Sequence, residues 1–158
     1  MQREAIAIRA RSEVDRLVAS GVVLAADLRP CTGDDINTLE AALGVRLPES
    51  YRAFLSLMGR GAGDFLVTDH WTAYFDDLVA LNRDVHSDRD LDGAVVPPDC
   101  VCFATRMGEV YLFVVANGSV DPPVLFWNEG SGPELRTAYA SFWDWFAEMT
   151  SDYQRWRS

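Results

Sequence analysis

The sequence predicts a single α+β domain in which an antiparallel β-sheet is packed with N-terminal helices and a C-terminal aromatic helix. Three observations carry this. Apolar residues recur at helical spacing up to Met58, three β-rich runs separated by tight turns follow Cys100, and bulky aromatics return to helical spacing near the end. At 158 residues and 49% apolar content the chain has the size of one ordinary domain, able to bury a core without disulfides or metals.

In residues 4–20, Ile6, Ala10, Val14, Leu17 and Val18 mark one helical face and Gly21 supplies a stop. A second helix begins at Thr32, whose hydroxyl caps while Asp35 stands three residues later as a variant capping box; Ile36, Leu39 and Leu43 form its face and Gly44 ends it. The stretch GVRLPESYRAFL then makes a corner. Pro48 is preset for a helix start, and Tyr51, Phe54, Leu55 and Met58 form the next buried stripe. After the glycines of GRGAG, residues 64–68 read as a strand, and Phe75, Leu78, Val79, Asn82 and Val85 as a short helix or extended turn. CVCFAT, EVYLFVV and PVLFW, joined by turns at residues 106–108 and at Asn117-Gly118, form an antiparallel meander. Residues 136–149 place Tyr139, Phe142, Trp143, Phe146 and Met149 on a closing helical face.

Composition narrows the chemistry. All 14 basic residues are arginine, so lysine Schiff-base and lysine general-base mechanisms are excluded, and the Ala- and Arg-rich, lysine-free usage suits a GC-rich bacterial genome. A net charge of −10 argues against a nucleic-acid binder. Cys31, Cys100 and Cys102 form no even framework and read as small core residues of a cytoplasmic protein. The charged N-terminal segment lacks the apolar run of a signal peptide, and nothing approaches membrane-spanning length.

No motif specifies a reaction, and no cofactor is implied. His70 and His86 are not near a cysteine at zinc-ligand spacing, the Gly59 to Gly63 run follows a helix where a phosphate loop would follow a strand, and Gly130-Ser131-Gly132 lacks nucleophile-elbow spacing. DRDLDG places Asp88, Asp90, Asp92 and Gly93 like the start of a calcium loop, with Asp99 where a bidentate Glu would stand. Against calcium, Asp is short for that role, Pro97-Pro98 blocks an exiting helix and a strand follows. The loop reads as acidic and solvated, with no metal assigned.

Charge is the more informative feature. Residues 64–99 contain nine acids against Arg83 and Arg89, so seven of the ten net negative charges lie in this segment. Such a patch either steers a cationic partner or keeps a surface solvated, and both readings stay open at this point.

Ile36, Leu39-Glu40, Gly44, Leu47-Pro48, Tyr51, Phe54-Leu55 and Gly59 resemble the SUKH superfamily, the Smi/Knr-type domains: a helix ending in Leu-Glu and Gly, then Leu-Pro, a Tyr-containing helix and a glycine turn. The Gly108 hairpin, the strand ending at Trp127 and a last helix opening with Ser141-Phe142 look similar too. The resemblance divides the chain into an N-terminal helix and connection (1–29), a SUKH-like domain (30–150) and a C-terminal tail (151–158). Two departures stand out: Met58-Gly59 replaces the family's frequent Asn-Gly, and a helix precedes the recognised part. In bacteria, what the resemblance implies is a non-enzymatic immunity protein that binds and neutralises a polymorphic toxin, often a nuclease; fungal relatives imply a regulatory or scaffold role instead. The immunity reading gives the acidic segment a purpose, occupying the basic site that a nuclease needs for phosphates. Its expected partner is a cognate basic toxin domain, met through Asp69, Trp71, Tyr74, Asp76, Asp77, Asp84, Asp88, Asp90 and Asp92, with the oligomeric state left open.

Overall fold

The computed structural model describes residues 2–87, 91, 93–130 and 132–157. Helix α1 (Gln2–Ala19) buries Ile6, Ala10, Val14 and Leu17 as one stripe against the later helices. After a short strand β1 (Leu28–Arg29), α2 (Gly33–Leu43) starts on the expected capping box: Thr32 Oγ1 accepts from Asp35 N–H at 3.1 Å, and Asp35 Oδ2 accepts from Thr32 N–H at 2.9 Å. Gly44 ends it at φ +70°, where a Cβ would be strained.

The corner between α2 and α3 (Glu49–Met58) is held by one carboxylate. Glu40 accepts from Leu47 N–H at 2.7 Å through Oε2, and from the Arg52 guanidinium at 2.6 Å through Oε1, so the last turn of α2 grips both the loop and the next helix. Truncation by Glu40→Ala leaves the amide and the guanidinium without that acceptor and is expected to cost about 1–3 kcal/mol, read as a lower denaturant midpoint at unchanged m-value.

Gly59 ends α3 as the expected helix stop, but not through a left-handed backbone. Its φ is −61°, and a Cβ there would lie 2.7 Å from both Cys31 Sγ and Leu55 Cα, so glycine is required for space alone. Strand β2 (Gly61–Ala62) then pairs antiparallel with β1.

Residues 64–68, expected as a strand, form a turn leading into a 3-10 turn at Thr68–His70. The reason is that Phe65 and Leu66 are both fully buried, which alternation on a strand cannot provide. Side-chain hydroxyls replace ladder partners: Tyr153 accepts from Leu66 N–H at 3.0 Å and donates to Thr68 C=O at 3.1 Å, while Tyr74 donates to Phe65 C=O.

The main sheet is antiparallel throughout, with the order β3 (Trp71–Thr72), β4 (Cys100–Arg106), β5 (Val110–Val115), β6 (Val124–Asn128) and β7 (Arg136–Tyr139). The meander is as expected; β3 and β7 extend it on both sides. Residues 136–139, expected within the last helix, are β7. Helix α5 (Phe142–Arg157) begins only where the Ser141 hydroxyl accepts from Trp143 N–H at 3.2 Å, and it runs on to bury Tyr153. Helix α4 (Phe75–Val85) follows β3 and packs on β4.

The sheet separates two cores. On one face Val101, Phe103, Leu112 and Val114 meet α3 and α5, with Phe142 central: its ring centroid lies 5.1–5.5 Å from those of Tyr51, Phe54, Phe103, Trp143 and Trp145. On the other, Cys100, Cys102, Phe113 and Trp127 pack with Val85 and the buried Leu91, Ala94 and Val96. Helix α1 is fastened over α5 by Arg16, which donates to Ala147 C=O at 2.6 Å, and by Arg157, which donates to the Gly21 and Val22 carbonyls at 2.8 Å.

Candidate protein-binding surface

Helix α4 carries the candidate surface. Leu78, Asn82 and Val85, at helical spacing, turn inward, which leaves Asp76, Asp77, Ala80, Arg83 and Asp84 exposed. Asp77 and Asp84 are seven residues apart, two turns along one line of the helix. Among the described residues neither is in an ion pair, so both carboxylates face solvent with their charge unspent. Asp76 and Asp77 also lie in the first turn, where carboxylates stabilise the helix dipole.

The inward side of α4 explains why the helix sits there. Asn82 is 4% exposed; its Oδ1 accepts from Cys102 N–H at 2.8 Å and its Nδ2 donates to Cys102 C=O at 2.9 Å, pairing with the strand as a neighbouring backbone would. One turn later His86 Nε2 lies 3.0 Å from Cys100 C=O. Because β3 pairs only with Thr105 and Arg106, these two side chains close the rest of the β4 edge.

Arg60 ties this helix to α2. It binds both carboxylate oxygens of Asp35, at 2.9 and 3.1 Å, reaches Asp76 at 3.1 Å, and lies 4.4 Å over the Phe75 ring. The Arg60 guanidinium first, and the Thr32 N–H second, hold the Asp35 carboxyl down at about 2. Since the folded value lies below the unfolded one, the pair's stabilisation is complete above pH about 4 and is lost as pH falls through about 2. An NMR titration of the Asp35 carboxyl carbon is expected to show that low midpoint, and Arg60→Gln to return it toward the ordinary aspartate range.

The remaining expected site residues are dispersed. Asp69 lies in the turn before β3, paired with Arg106 at 2.7 Å. Trp71, on β3, is half-buried, with its ring edge to Trp145 at 6.2 Å. Tyr74 is 7% exposed and its hydroxyl is engaged inside the fold, so its ring is core and presents no anchor to a partner. Asp88, Asp90 and Asp92 lie outside the described residues. The structure thus gathers Asp76, Asp77 and Asp84 on α4, with Asp69 in the turn before β3, Trp71 on β3 and the Tyr74 ring in the core.

The three cysteines are buried, and burial pushes their thiols up to about 11 for Cys31 and Cys100 and about 12 for Cys102, which keeps them protonated and unreactive at neutral pH. Among the described residues no group of three or more His, Cys, Asp or Glu is placed to hold a metal ion, and no helix is long and apolar enough to cross a membrane.

With the corner at Glu40, the antiparallel sheet and the aromatic closing helix in place, the comparison with known families is decisive. The model of the SMI1 / KNR4 family (SUKH-1) matches residues 30–148, most of the chain. The chain belongs to this family. Its SMI1/KNR4 segment opens just before α2 and runs into α5, so it contains the α2–α3 corner and the whole five-stranded sheet. Helix α1 precedes the SMI1/KNR4 match, yet it is packed on α3 and α5 within it. No curated protein matches the chain.

Proposed function

We propose that this SMI1/KNR4 protein is a cytoplasmic immunity protein, which binds a cognate basic toxin domain, of the nuclease kind, through the acidic face of α4 and neutralises it without a reaction of its own. Family membership is consistent with an immunity fold. The observation that carries the reading is the placement of Asp77 and Asp84, two exposed carboxylates in line on one rigid helix and without internal counter-ions among the described residues.

The physics is that of complementary fields. A nuclease keeps Arg and Lys free to hold phosphates, and it therefore meets an acidic surface faster than a neutral one. Asn82 and Arg60 fix α4 against the sheet and α2, so its carboxylates are presented with little ordering cost on association. Asp88, Asp90 and Asp92 follow α4 in sequence and add to the local negative charge.

The test is co-expression with the toxin domain that an immunity gene is expected to have beside it. Protection of the host cell and a one-to-one complex on gel filtration are expected; cell death at full expression of both proteins, with no complex, would overturn the reading.

A further inference from the structure

A second surface lies on α5. Between this helix and strands β5 to β7 runs a groove of about 520 Å³, floored by Leu112, Phe126 and Met149 and walled by Trp71 and Tyr139. Over this apolar floor stand Glu148 and Asp152, one helical turn apart on α5. We propose that the groove seats an arginine or lysine side chain of the protein partner, its stem on the apolar floor and its charge between the two carboxylates. This deepens the immunity reading and rests on it for the identity of the partner as a basic protein.

Three features favour this occupant. Glu148 is in no ion pair among the described residues, and with Asp152 at i+4 it offers a second carboxylate to a cation placed between the two. The Tyr139 hydroxyl donates to Glu148, and Arg155 pairs with Asp152, so each carboxylate is oriented and retains acceptor capacity for a further donor. Aromatic walls over an apolar floor suit a cation on a hydrocarbon stem better than they suit an anion or a neutral polar group.

The surroundings fix the position of Trp71 in the groove wall. The Trp71 indole N–H is buried and has no acceptor among the described residues. Immediately before it, Leu66, Asp69 and His70 hold φ between +58° and +65°, and Met107, whose N–H donates to His70 C=O, holds +59°. Such backbone costs energy at each non-glycine residue and persists where the surrounding fold enforces it. At Leu66 it is held by Tyr153 of α5, which accepts from the Leu66 N–H and donates to Thr68 C=O, and the turn leads directly into Trp71.

The test needs no toxin, so its outcome is independent of whether a toxin is the partner. The intact protein is titrated with the blocked tripeptide acetyl-Gly-Arg-Gly-amide and with its neutral citrulline isostere, and the Trp indole and backbone amides are followed by 15N NMR. The arginine peptide is expected to shift the Trp71 indole saturably and the citrulline peptide to leave it unmoved. Glu148→Gln, which keeps an acceptor for Tyr139, is expected to weaken the arginine peptide about fivefold. Equal response to both peptides, shifts confined to α4, unchanged affinity in Glu148→Gln, or tighter binding of free arginine than of the tripeptide would each overturn the proposal.

Discussion

Phe142→Ala is expected to destabilise the fold by about 3–5 kcal/mol and to lower Tm by about 10 °C. The ring is fully buried and lies within 5.1–5.5 Å of five other rings drawn from α3, β4 and α5. Removing it opens a cavity lined by rigid aromatics, which cannot collapse into the space as flexible side chains would. Its edge-on contacts with Tyr51 and Phe103 are lost as well. Phe142→Leu keeps most of the volume and is expected to lose less than half as much. Chemical denaturation of both variants checks this, and a loss below about 1 kcal/mol for Phe142→Ala would show that the ring cluster is not the centre of the core.

Asn82→Leu is expected to cost about 2–4 kcal/mol, although it replaces one buried side chain by another of similar volume. The loss comes from the strand. Cys102 N–H and C=O both bond to the Asn82 amide and have no strand partner on that side, so leucine leaves two backbone groups dehydrated and unpaired. Amide exchange at Cys102 is expected to accelerate together with the fall in denaturant midpoint. Asn82→Asp keeps the acceptor for the Cys102 N–H but removes the donor to its C=O, and it buries a charge; it is expected to be worse than leucine at neutral pH.

The contrast between these residues shows what the sequence makes legible. Phe142 stands at helical spacing among aromatics, and its place in the core follows from pattern alone. Asn82 also occupies an inward helical position, but nothing local says that a polar residue there caps a strand edge 20 residues away. The corner was legible because capping and turn chemistry are local: Thr32, Asp35, Gly44 and Pro48 act on their own neighbours. The grip of Glu40 on Leu47 and Arg52 was not, although Glu40 belongs to the motif that carries the family resemblance.

The two errors of element assignment have the same origin. Residues 64–68 look like a strand because Phe65, Leu66 and Val67 are apolar in a row, yet tyrosine hydroxyls from elsewhere replace the ladder and allow left-handed backbone at Leu66. Residues 136–139 share helical spacing with α5 because Tyr139 happens to lie three positions before Phe142, whereas pairing with β6 decides their conformation.

Of the expected partner-binding residues, Asp76, Asp77 and Asp84 keep their carboxylates exposed, because they fall on the solvent side of α4. Tyr74 was misread because an aromatic beside acids resembles an interface anchor until its burial is known. The groove under Glu148 and Asp152 had no sequence signal, since β3, β5, β6, β7 and α5 assemble it from residues 71–152.

The central claim is that α4 steers a basic protein partner by the charge of its exposed carboxylates. The measurement that tests it most directly is the association rate constant with the proposed toxin partner for the wild type and for Asp77→Arg/Asp84→Arg, at low and high salt and with equal thermal stability verified. The account predicts association slowed about ten- to a hundredfold at low salt, with the two proteins converging as salt screens the field. Equal rate constants at low salt would contradict it.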